Sequence, residues 1–345
     1  MSFVKYQHYL ARKHMSWFSN PDLTNSFWSL TEMTLLDNMQ LTEIGGQNHL
    51  YESEKLPRNF VEKEILGKVE TDFFDARGRA VVDKSVRISG DRQAVRRYAA
   101  AQILRDGYLH KRLVQFEQDL RFLAKEMDLE RIWQVDKLPE KGGRKRASAL
   151  LASGLIELDE MAASLKDHVV TFVDRPEGDL LLPDRGLVQI YEEYGKLRTD
   201  GMKSASLKIY IPIAPDAALK LFRPPKKSSF PNRTRMSDET YVLFLKNLGF
   251  NAKQFVVGTK AVLTATDWNS VPYFDPHAER ISMIMQLKKG GVFDGIIADF
   301  HAAMMSDHPL AKIREWFYEE KFVPAMNKLF NPDNDPRAET ISFPL

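Results

Sequence analysis

The chain has 345 residues, of which 43% are hydrophobic and 28% are charged, so it can bury a sizeable core. Its 49 basic and 47 acidic residues give a net charge of +2, which means that polyanion binding would depend on local basic patches. The absence of cysteine excludes disulfide frameworks, zinc ribbons and thiolate nucleophiles. Neither a signal-peptide core nor a run of about 18 apolar residues occurs, so we expect a cytoplasmic protein with no membrane contact.

The first half of the chain is predicted to be mostly helical, after a mixed segment over residues 1–52. Apolar residues at helical spacing predict a helix over residues 59–75. Residues 91–131 predict two helices that divide near Gly107, because apolar side chains recur there at steps of three and four. A similar stripe predicts a helix over residues 147–166. We interpret these stripes as core-facing surfaces, since they are too short for a coiled coil.

The second half is predicted to be rich in strands. Segments of β-branched and aromatic residues begin at Val169 and are separated by turn sequences, which favours antiparallel strands. A helix is predicted over residues 237–250, with Ser237 as its N-cap and Gly249 as its stop signal. Further strands are predicted over residues 253–266 and 280–287.

Residues 138–148 are predicted to form a linker or mobile loop, because they combine a Gly pair with basic residues and show no apolar periodicity. Strands do not alternate regularly with helices. The sequence therefore predicts an α+β fold in which a helical N-terminal half packs with an antiparallel β-rich C-terminal half. We expect one large domain over residues 1–345, divided near residues 141–148 into a helical part (53–166) and a β-rich part (167–345).

Two histidines, His8 and His14, lie six residues apart near the start of the chain. Six residues span about 20 Å on a strand. On a helix they span about 9 Å of rise and differ by about 120° in direction. Neither geometry lets both side chains bind one metal ion. We expect a helix to begin near Ala11 and His14 to pack in the core, whereas His8 is either functional or a hydrogen-bonded structural residue.

Several stretches, taken in order, resemble a bacterial family known as domain of unknown function 4238. Its members tend to begin with His-Tyr-Val-Pro, two residues, Tyr-Leu, two residues and Phe, and the segment from His8 to Phe18 follows that pattern. Ala11 stands where the family has Pro, and His14 where it has Tyr. Four later positions also match the family: Glu62 and Glu70 at the two ends of a helix, Asp184 in a turn, and Asn247 in an Asn-rich helix that leads into a strand. The resemblance spans about residues 6–258 and implies an architecture and candidate positions rather than a reaction.

The acids that match the family are candidate catalytic residues, together with His8. Glu62 and Glu70 are eight residues apart, so on one helix they would lie on one stripe about 12 Å apart. They cannot share a metal ion directly, but either can meet a residue from elsewhere in the chain. The alternative is that they belong to a solvated or salt-bridged helix face.

Asp184 follows Pro183, as in the first half of a metal-dependent nuclease signature, in which paired acids hold a divalent ion. The second half of that signature does not fit, because Glu193 and Lys196 are one residue too far apart. On a strand this slip would turn the lysine to the opposite face. The alternative for Asp184 is a turn residue that closes a hairpin.

Two basic segments are candidate nucleic-acid contacts, since cations suit phosphates and an aromatic ring can stack on a base. Their residues are Arg144, Lys145, Arg146, Lys226, Lys227, Arg233, Arg235 and Phe230. Such runs are also common on solvated surfaces. The sequence contains no P-loop, Rossmann glycine motif, Gly-x-Ser-x-Gly elbow or His-Glu-x-x-His motif.

We therefore expect a nucleic-acid-directed effector that acts on RNA or DNA, and specifically a metal-dependent nuclease of a defence or toxin type. Its cofactor would be Mg²⁺ or Mn²⁺. His8, Glu62, Glu70 and Asp184 would then converge around one cavity. The alternative is a non-catalytic protein-binding or regulatory module in which these residues are structural and lie apart.

Overall fold

The structure is a computed structural model that describes residues 6–20, 24–105, 107–127, 129, 142–191, 204, 206–224, 230–272, 280–281, 284–285 and 315–330. Its strands, in chain order, are β1 (Tyr6–His8), β2 (Ser26–Ser29), β3 (Thr34–Leu36), β4 (Gly46–Asn48), β5 (Val169–Asp174), β6 (Leu182–Pro183), β7 (Val188–Tyr191), β8 (Leu207–Ala214), β9 (Ala217–Phe222), β10 (Arg233–Arg235) and β11 (Phe255–Gly258). Its α-helices are α1 (Arg12–Ser16), α2 (Gly67–Asp83), α3 (Ser89–Leu104), α4 (Gly107–Glu126), α5 (Gly143–Ile156), α6 (Leu158–Ala163), α7 (Asp238–Asn251), α8 (Lys260–Ala265) and α9 (Val323–Leu329). The π-helical segments Val61–Leu66 and Phe317–Phe322 lead directly into α2 and α9.

The chain divides into two compact units. The first consists of Met1–His110 and Lys145–Phe274, and the second of Lys111–Arg144 and Asp275–Leu345. Every strand given above belongs to the first unit. Whether the chain behaves as one large domain with a division near residues 141–148 stays a prediction.

Three sheets form in the first unit. Strands β1 and β4 form a two-stranded antiparallel sheet, and a four-stranded antiparallel sheet has the order β3-β2-β11-β6. A five-stranded sheet has the order β10-β5-β9-β8-β7, in which β10 runs parallel to β5 and the other pairs are antiparallel. The α+β fold class is confirmed, and β10 adds one parallel pair to sheets whose other described pairs are antiparallel.

Each unit has its own apolar core. In the first unit, Phe244 and Leu248 of α7 pack with buried residues of the two larger sheets, such as Val256. In the second unit, Leu123 of α4 packs with Phe317 and other residues of the last described helix. Burial of each such side chain contributes about 1.5–3 kcal/mol to stability. Within the described residues, no helix is both long enough and apolar enough to cross a membrane.

Most predicted helices are confirmed, and the errors have local causes. Helix α5 begins at Gly143, so the second part of the predicted linker is helical. The predicted strand over residues 253–266 ends at Gly258, because the side chain of Thr259 accepts a hydrogen bond from the Val262 amide and caps helix α8. The described residues of the predicted strand 280–287 are helical.

Candidate functional site

The two-stranded sheet of β1 and β4 fixes the position of His8. His8 is the last residue of β1 and lies opposite Gly46 of β4. A Cβ atom on Gly46 would lie 2.5 Å from the ring of Tyr6, so only glycine allows this close pairing. Helix α1 then begins after Ala11, as predicted.

A buried arginine, Arg105, is the centre of a polar cluster in the first unit. It follows the last residue of α3 and is only 2% exposed. Its Nη1 atom donates to a carboxylate oxygen of Glu70 on α2, and its Nη2 atom donates to the backbone carbonyl of His8. We call the set His8, Tyr51, Glu62, Glu70 and Arg105 the Arg105 cluster.

Different segments supply the members of this cluster. Tyr51 lies in the loop after β4, and Glu62 lies in the π-helical segment before α2. The loop is held by Gln7 of β1, whose side chain accepts a hydrogen bond from the Tyr51 amide and donates to Glu52. Since Gln7 is fully buried, its hydrogen bonds hold the loop against strand β1.

Charges in the cluster shift the protonation of its members. The pKa of His8 is lowered to about 4, mainly by burial and also by the nearby cations Arg12 and Arg105, against the opposing effect of the Leu41 carbonyl. Burial also raises the pKa of the Glu62 carboxyl, which Arg105 only partly offsets.

The Arg105 guanidinium keeps its charge despite burial. Burial opposes the cation, but Glu70, Tyr51 and Glu62 outweigh this effect and raise the pKa of Arg105 above its usual range. Burial raises the pKa of the Tyr51 phenol in turn, so the hydroxyl group stays protonated at neutral pH.

Four buried atoms of the cluster have no hydrogen-bond partner among the residues that the structure describes. They are His8 Nε2, Tyr51 OH, Glu62 Oε2 and Arg105 Nε. The Tyr51 hydroxyl lies beside the Arg105 guanidinium, which partly offsets the effect of burial on the phenol pKa. A buried unsatisfied polar atom costs about 1–3 kcal/mol, so proteins rarely keep several of them together. Such a group is typical of a site that takes up water or a ligand.

The arrangement is suited to acid–base chemistry. His8 is a neutral base at pH 7, Glu62 holds a proton more readily than an ordinary carboxyl, and Arg105 supplies a fixed positive charge. Exposure within the cluster increases from Arg105 to the Glu70 side chain, which is 23% exposed. The Glu70 side of the cluster therefore faces solvent.

Three of the four predicted catalytic residues meet in this cluster, whereas Asp184 makes different contacts. The Asp184 carboxylate is 3% exposed and accepts hydrogen bonds from the amides of Lys253 at 3.0 Å and Gln254 at 2.8 Å. It thereby joins the turn after β6 to the chain that enters β11. The residues Glu193 and Lys196 lie outside the described residues.

The predicted role of His14 in core packing is confirmed. The ring is fully buried and lies between Tyr98 and the backbone of Pro212, to both of which it is hydrogen-bonded. Burial lowers its pKa to about 4, which keeps it neutral.

The basic residues lie in two regions of the chain, and several are ion-paired. Arg144, Lys145 and Arg146 belong to the first turns of α5, and Lys145 pairs with Glu54 at 2.9 Å. The other region, around β10, has two pairs and a ring contact: Arg233 with Asp174, Arg235 with Glu177, and Phe230 edge-on to Phe222. Lys226 and Lys227 lie outside the described residues.

No set of three His, Cys, Asp or Glu side chains in the described part of the chain is arranged to hold a metal ion. In the Arg105 cluster, the guanidinium already neutralises the carboxylates that would bind Mg²⁺ or Mn²⁺. A divalent ion at this position would have to displace Arg105 from Glu70.

Sequence reasoning missed Tyr51 and Arg105. A signal for Arg105 exists, because Tyr98, Gln102 and Arg105 are spaced by four and three residues and interrupt the alanine-rich buried face of α3. A polar stripe on a buried helix face indicates a buried polar network. Tyr51 follows a turn and carries no comparable pattern.

Comparisons with protein-family models, with curated proteins and with solved structures found no match to this chain. The resemblance to domain of unknown function 4238 therefore stays a prediction, and the proposals below depend on the geometry of the described residues.

Proposed function

We propose that this protein is a nucleic-acid-directed hydrolase that cleaves phosphodiester bonds, with the Arg105 cluster as its catalytic centre. The observation that carries the proposal is the group of four unsatisfied buried atoms on His8, Tyr51, Glu62 and Arg105. They come from four separate segments and offer a base, an acid and a cation at one place. No single segment supplies this combination.

The chemistry that we propose is acid–base cleavage. The neutral His8 ring accepts a proton from an attacking water or sugar hydroxyl, whose oxygen forms a new bond to phosphorus. The bond to the leaving oxygen breaks, and that oxygen takes a proton from the Glu62 carboxyl, whose pKa is raised by burial. Arg105 balances the negative charge that develops on the phosphoryl oxygens, a role in which a fixed guanidinium is effective.

Substrate binding in this proposal uses the basic residues near α5 and β10. Arg233 and Arg235 remain 57% and 67% exposed in their ion pairs. Exposed ion pairs are worth only about 0–1 kcal/mol, so a phosphate can replace the carboxylate partner at little cost. Retention of RNA or DNA is then expected to fall as salt rises, because counterions are released on binding. Retention that is independent of salt would contradict this role.

The test of catalysis is incubation of purified protein with labelled RNA and DNA, in EDTA and with added Mg²⁺ or Mn²⁺. We expect cleavage by the wild type, and a loss of about 100-fold or more in the variants His8→Gln and Glu62→Gln. Glu64→Gln is the matched control, because Glu64 lies in the same π-helical segment but is exposed. Cleavage of neither substrate under any of these conditions would refute the proposal, and full activity of Glu62→Gln would remove the cluster from it.

The second candidate function is a non-catalytic binding or regulatory module. It is favoured by one observation: Arg105 ties together β1, α2 and α3 through the His8 carbonyl and Glu70, as a purely structural arginine would. A metal-dependent nuclease of a defence or toxin type remains the more specific form of the first candidate. Cleavage that requires Mg²⁺ and is abolished by EDTA would favour that form.

A further inference from the structure

A cavity of about 430 Å³ lies at the end of strand β5, away from the residues of the Arg105 cluster. Its lining consists of Glu160, Ala163, Ser164, Lys166, Asp167, His168 and Arg223. Cavities of about 300–1,000 Å³ are the usual size for small-molecule sites. The cavity therefore has room for a ligand of the size of a nucleotide.

The strand register explains why His168 and Arg223 meet there. Strands β5 and β9 are antiparallel, and Val169 of β5 lies opposite Phe222 of β9. His168 precedes β5 and Arg223 follows β9, so both residues lie at the same end of these two neighbouring strands. Arg223 pairs with Asp167 at 3.6 Å, and its side chain is 43% exposed.

The buried, unsatisfied ring of His168 is the main evidence that the cavity binds a ligand. The residue is 1% exposed, yet neither of its ring nitrogens has a hydrogen-bond partner within the described ranges. Its backbone carbonyl is taken by Arg96 of α3, which donates to it from Nη2 at 2.6 Å. A buried imidazole with two unsatisfied nitrogens is rare in proteins and indicates that the ring binds something in the cavity.

The charges around the ring favour an anion. The pKa of His168 is lowered to about 4, mainly by burial and also by Arg223 and Arg96, against a smaller opposing effect of Asp167. Both arginines thus place a positive potential at the imidazole. Lys166 and Glu160 complete the titratable groups that line the cavity, and they are of opposite sign.

We propose that this cavity binds a small phosphate monoester, such as a nucleoside monophosphate, through His168 and Arg223. A guanidinium matches the oxygens of a phosphate group, and a neutral imidazole can donate one hydrogen bond to it. The bound dianion would also favour the protonated ring, which adds a second donor. This inference does not depend on the proposed function of the Arg105 cluster.

The first experiment measures binding of AMP and of inorganic phosphate to the full-length protein by calorimetry at neutral pH. We expect saturable binding with a Kd on the order of 0.1 mM for AMP, and affinity about tenfold weaker in Arg223→Gln. Arg79→Gln is the matched control, because Arg79 is also an exposed arginine that pairs with a carboxylate, that of Asp91, but lies outside the cavity. Equal affinity of these two variants would overturn the proposal, as would no binding up to about 10 mM.

The second experiment observes the His168 ring itself in the wild-type protein. The ring protons of His168 are followed by NMR as pH is varied, with and without phosphate, and are assigned by comparison with His168→Gln. We expect the pKa of His168 to rise from about 4 when phosphate or AMP is present. A titration curve that neither ligand changes would overturn the proposal.

Discussion

The hydroxyl oxygen of Tyr98 lies 2.7 Å from Nδ1 of His14, in a part of the first unit that is fully buried. The side-chain amide of Gln102 donates to the same hydroxyl at 2.9 Å, and the other ring nitrogen, Nε2, lies 2.6 Å from the carbonyl oxygen of Pro212. Only one assignment of donors and acceptors satisfies all three hydrogen bonds. Gln102 donates to Tyr98, Tyr98 donates to Nδ1, and Nε2–H donates to Pro212, so the ring is neutral.

Removal of the Tyr98 hydroxyl should therefore cost more than one ordinary hydrogen bond. In Tyr98→Phe, both His14 Nδ1 and the Gln102 amide lose a buried partner, and we expect the free energy of unfolding to fall by about 2–3 kcal/mol. Urea denaturation measures this change. Tyr6→Phe is the control, because its hydroxyl bonds to the Glu43 carbonyl in an exposed setting. Equal losses in the two variants would contradict this assignment.

Stability should depend on pH through His14. Its pKa of about 4 in the folded state lies below the unfolded value of about 6.5. Between these two values the unfolded chain binds a proton that the folded chain does not, so stability falls as pH is lowered from about 6.5 to 4. We expect a loss of about 1.4 kcal/mol for each pH unit from this residue. The dependence should be weaker in His14→Phe, and an unchanged dependence would argue against the buried neutral ring.

Breaking the ion pair of Arg105 should destabilise the protein strongly. Glu70→Gln leaves a buried guanidinium without its closest carboxylate, which we expect to cost about 3 kcal/mol. The double variant Glu70→Gln/Arg105→Met removes the stranded charge and should recover part of that loss. Chemical denaturation of the wild type, the single variants Glu70→Gln and Arg105→Met, and the double variant measures the coupling between the two residues. Additive losses would mean that the pair does not interact as the structure shows.

Asp184 offers a test that separates stability from catalysis. Asp184→Ala removes the acceptor of the Lys253 and Gln254 amides, and we expect a loss of about 2 kcal/mol. Asp267→Ala is the control, since its carboxylate accepts only an exposed amide, that of Asn269. Activity per folded molecule should persist in Asp184→Ala. A folded but inactive variant would instead place Asp184 in the catalytic machinery, as the sequence predicts.

Substitution by alanine should lower stability at Gly249 and raise it at Gly78. A Cβ atom on Gly249 would lie 1.8 Å from the carbonyl oxygen of Pro272, so Gly249→Ala forces the backbone apart and should cost at least about 2 kcal/mol. A Cβ atom on Gly78, inside α2, would meet nothing within 4 Å. Gly78→Ala should therefore stabilise the helix by about 0.5–1 kcal/mol. Thermal unfolding of both variants measures the difference, and a tolerated Gly249→Ala would refute the close approach.

Gly249 also illustrates how far the sequence predicts this fold. Helix α7 and its cap at Ser237 follow from local pattern, and both are confirmed. The predicted role of Gly249 as a stop signal was wrong, because the helix runs on to Asn251 and the glycine is needed for a contact with a distant segment. Local periodicity carries no information about such contacts.

The same limit applies to the candidate site. The sequence identifies His8, Glu62 and Glu70 as candidates. For Arg105, the residue that joins them, the local pattern indicates only the end of a helix. Its role depends on burial, which comes from the packing of β1 and α2 around the end of α3. Burial of this kind is a tertiary property and has no fixed spacing in the chain.

The division of the chain into two units has a consequence during synthesis. The segment Lys111–Arg144 is made early, but its partners in the second unit begin only at Asp275. At about 5–20 residues per second, the ribosome needs on the order of ten seconds to bridge that gap. Until then, the stripe that includes Leu123 and Met127 lacks the later residues that it packs against, so the nascent chain exposes apolar surface during synthesis.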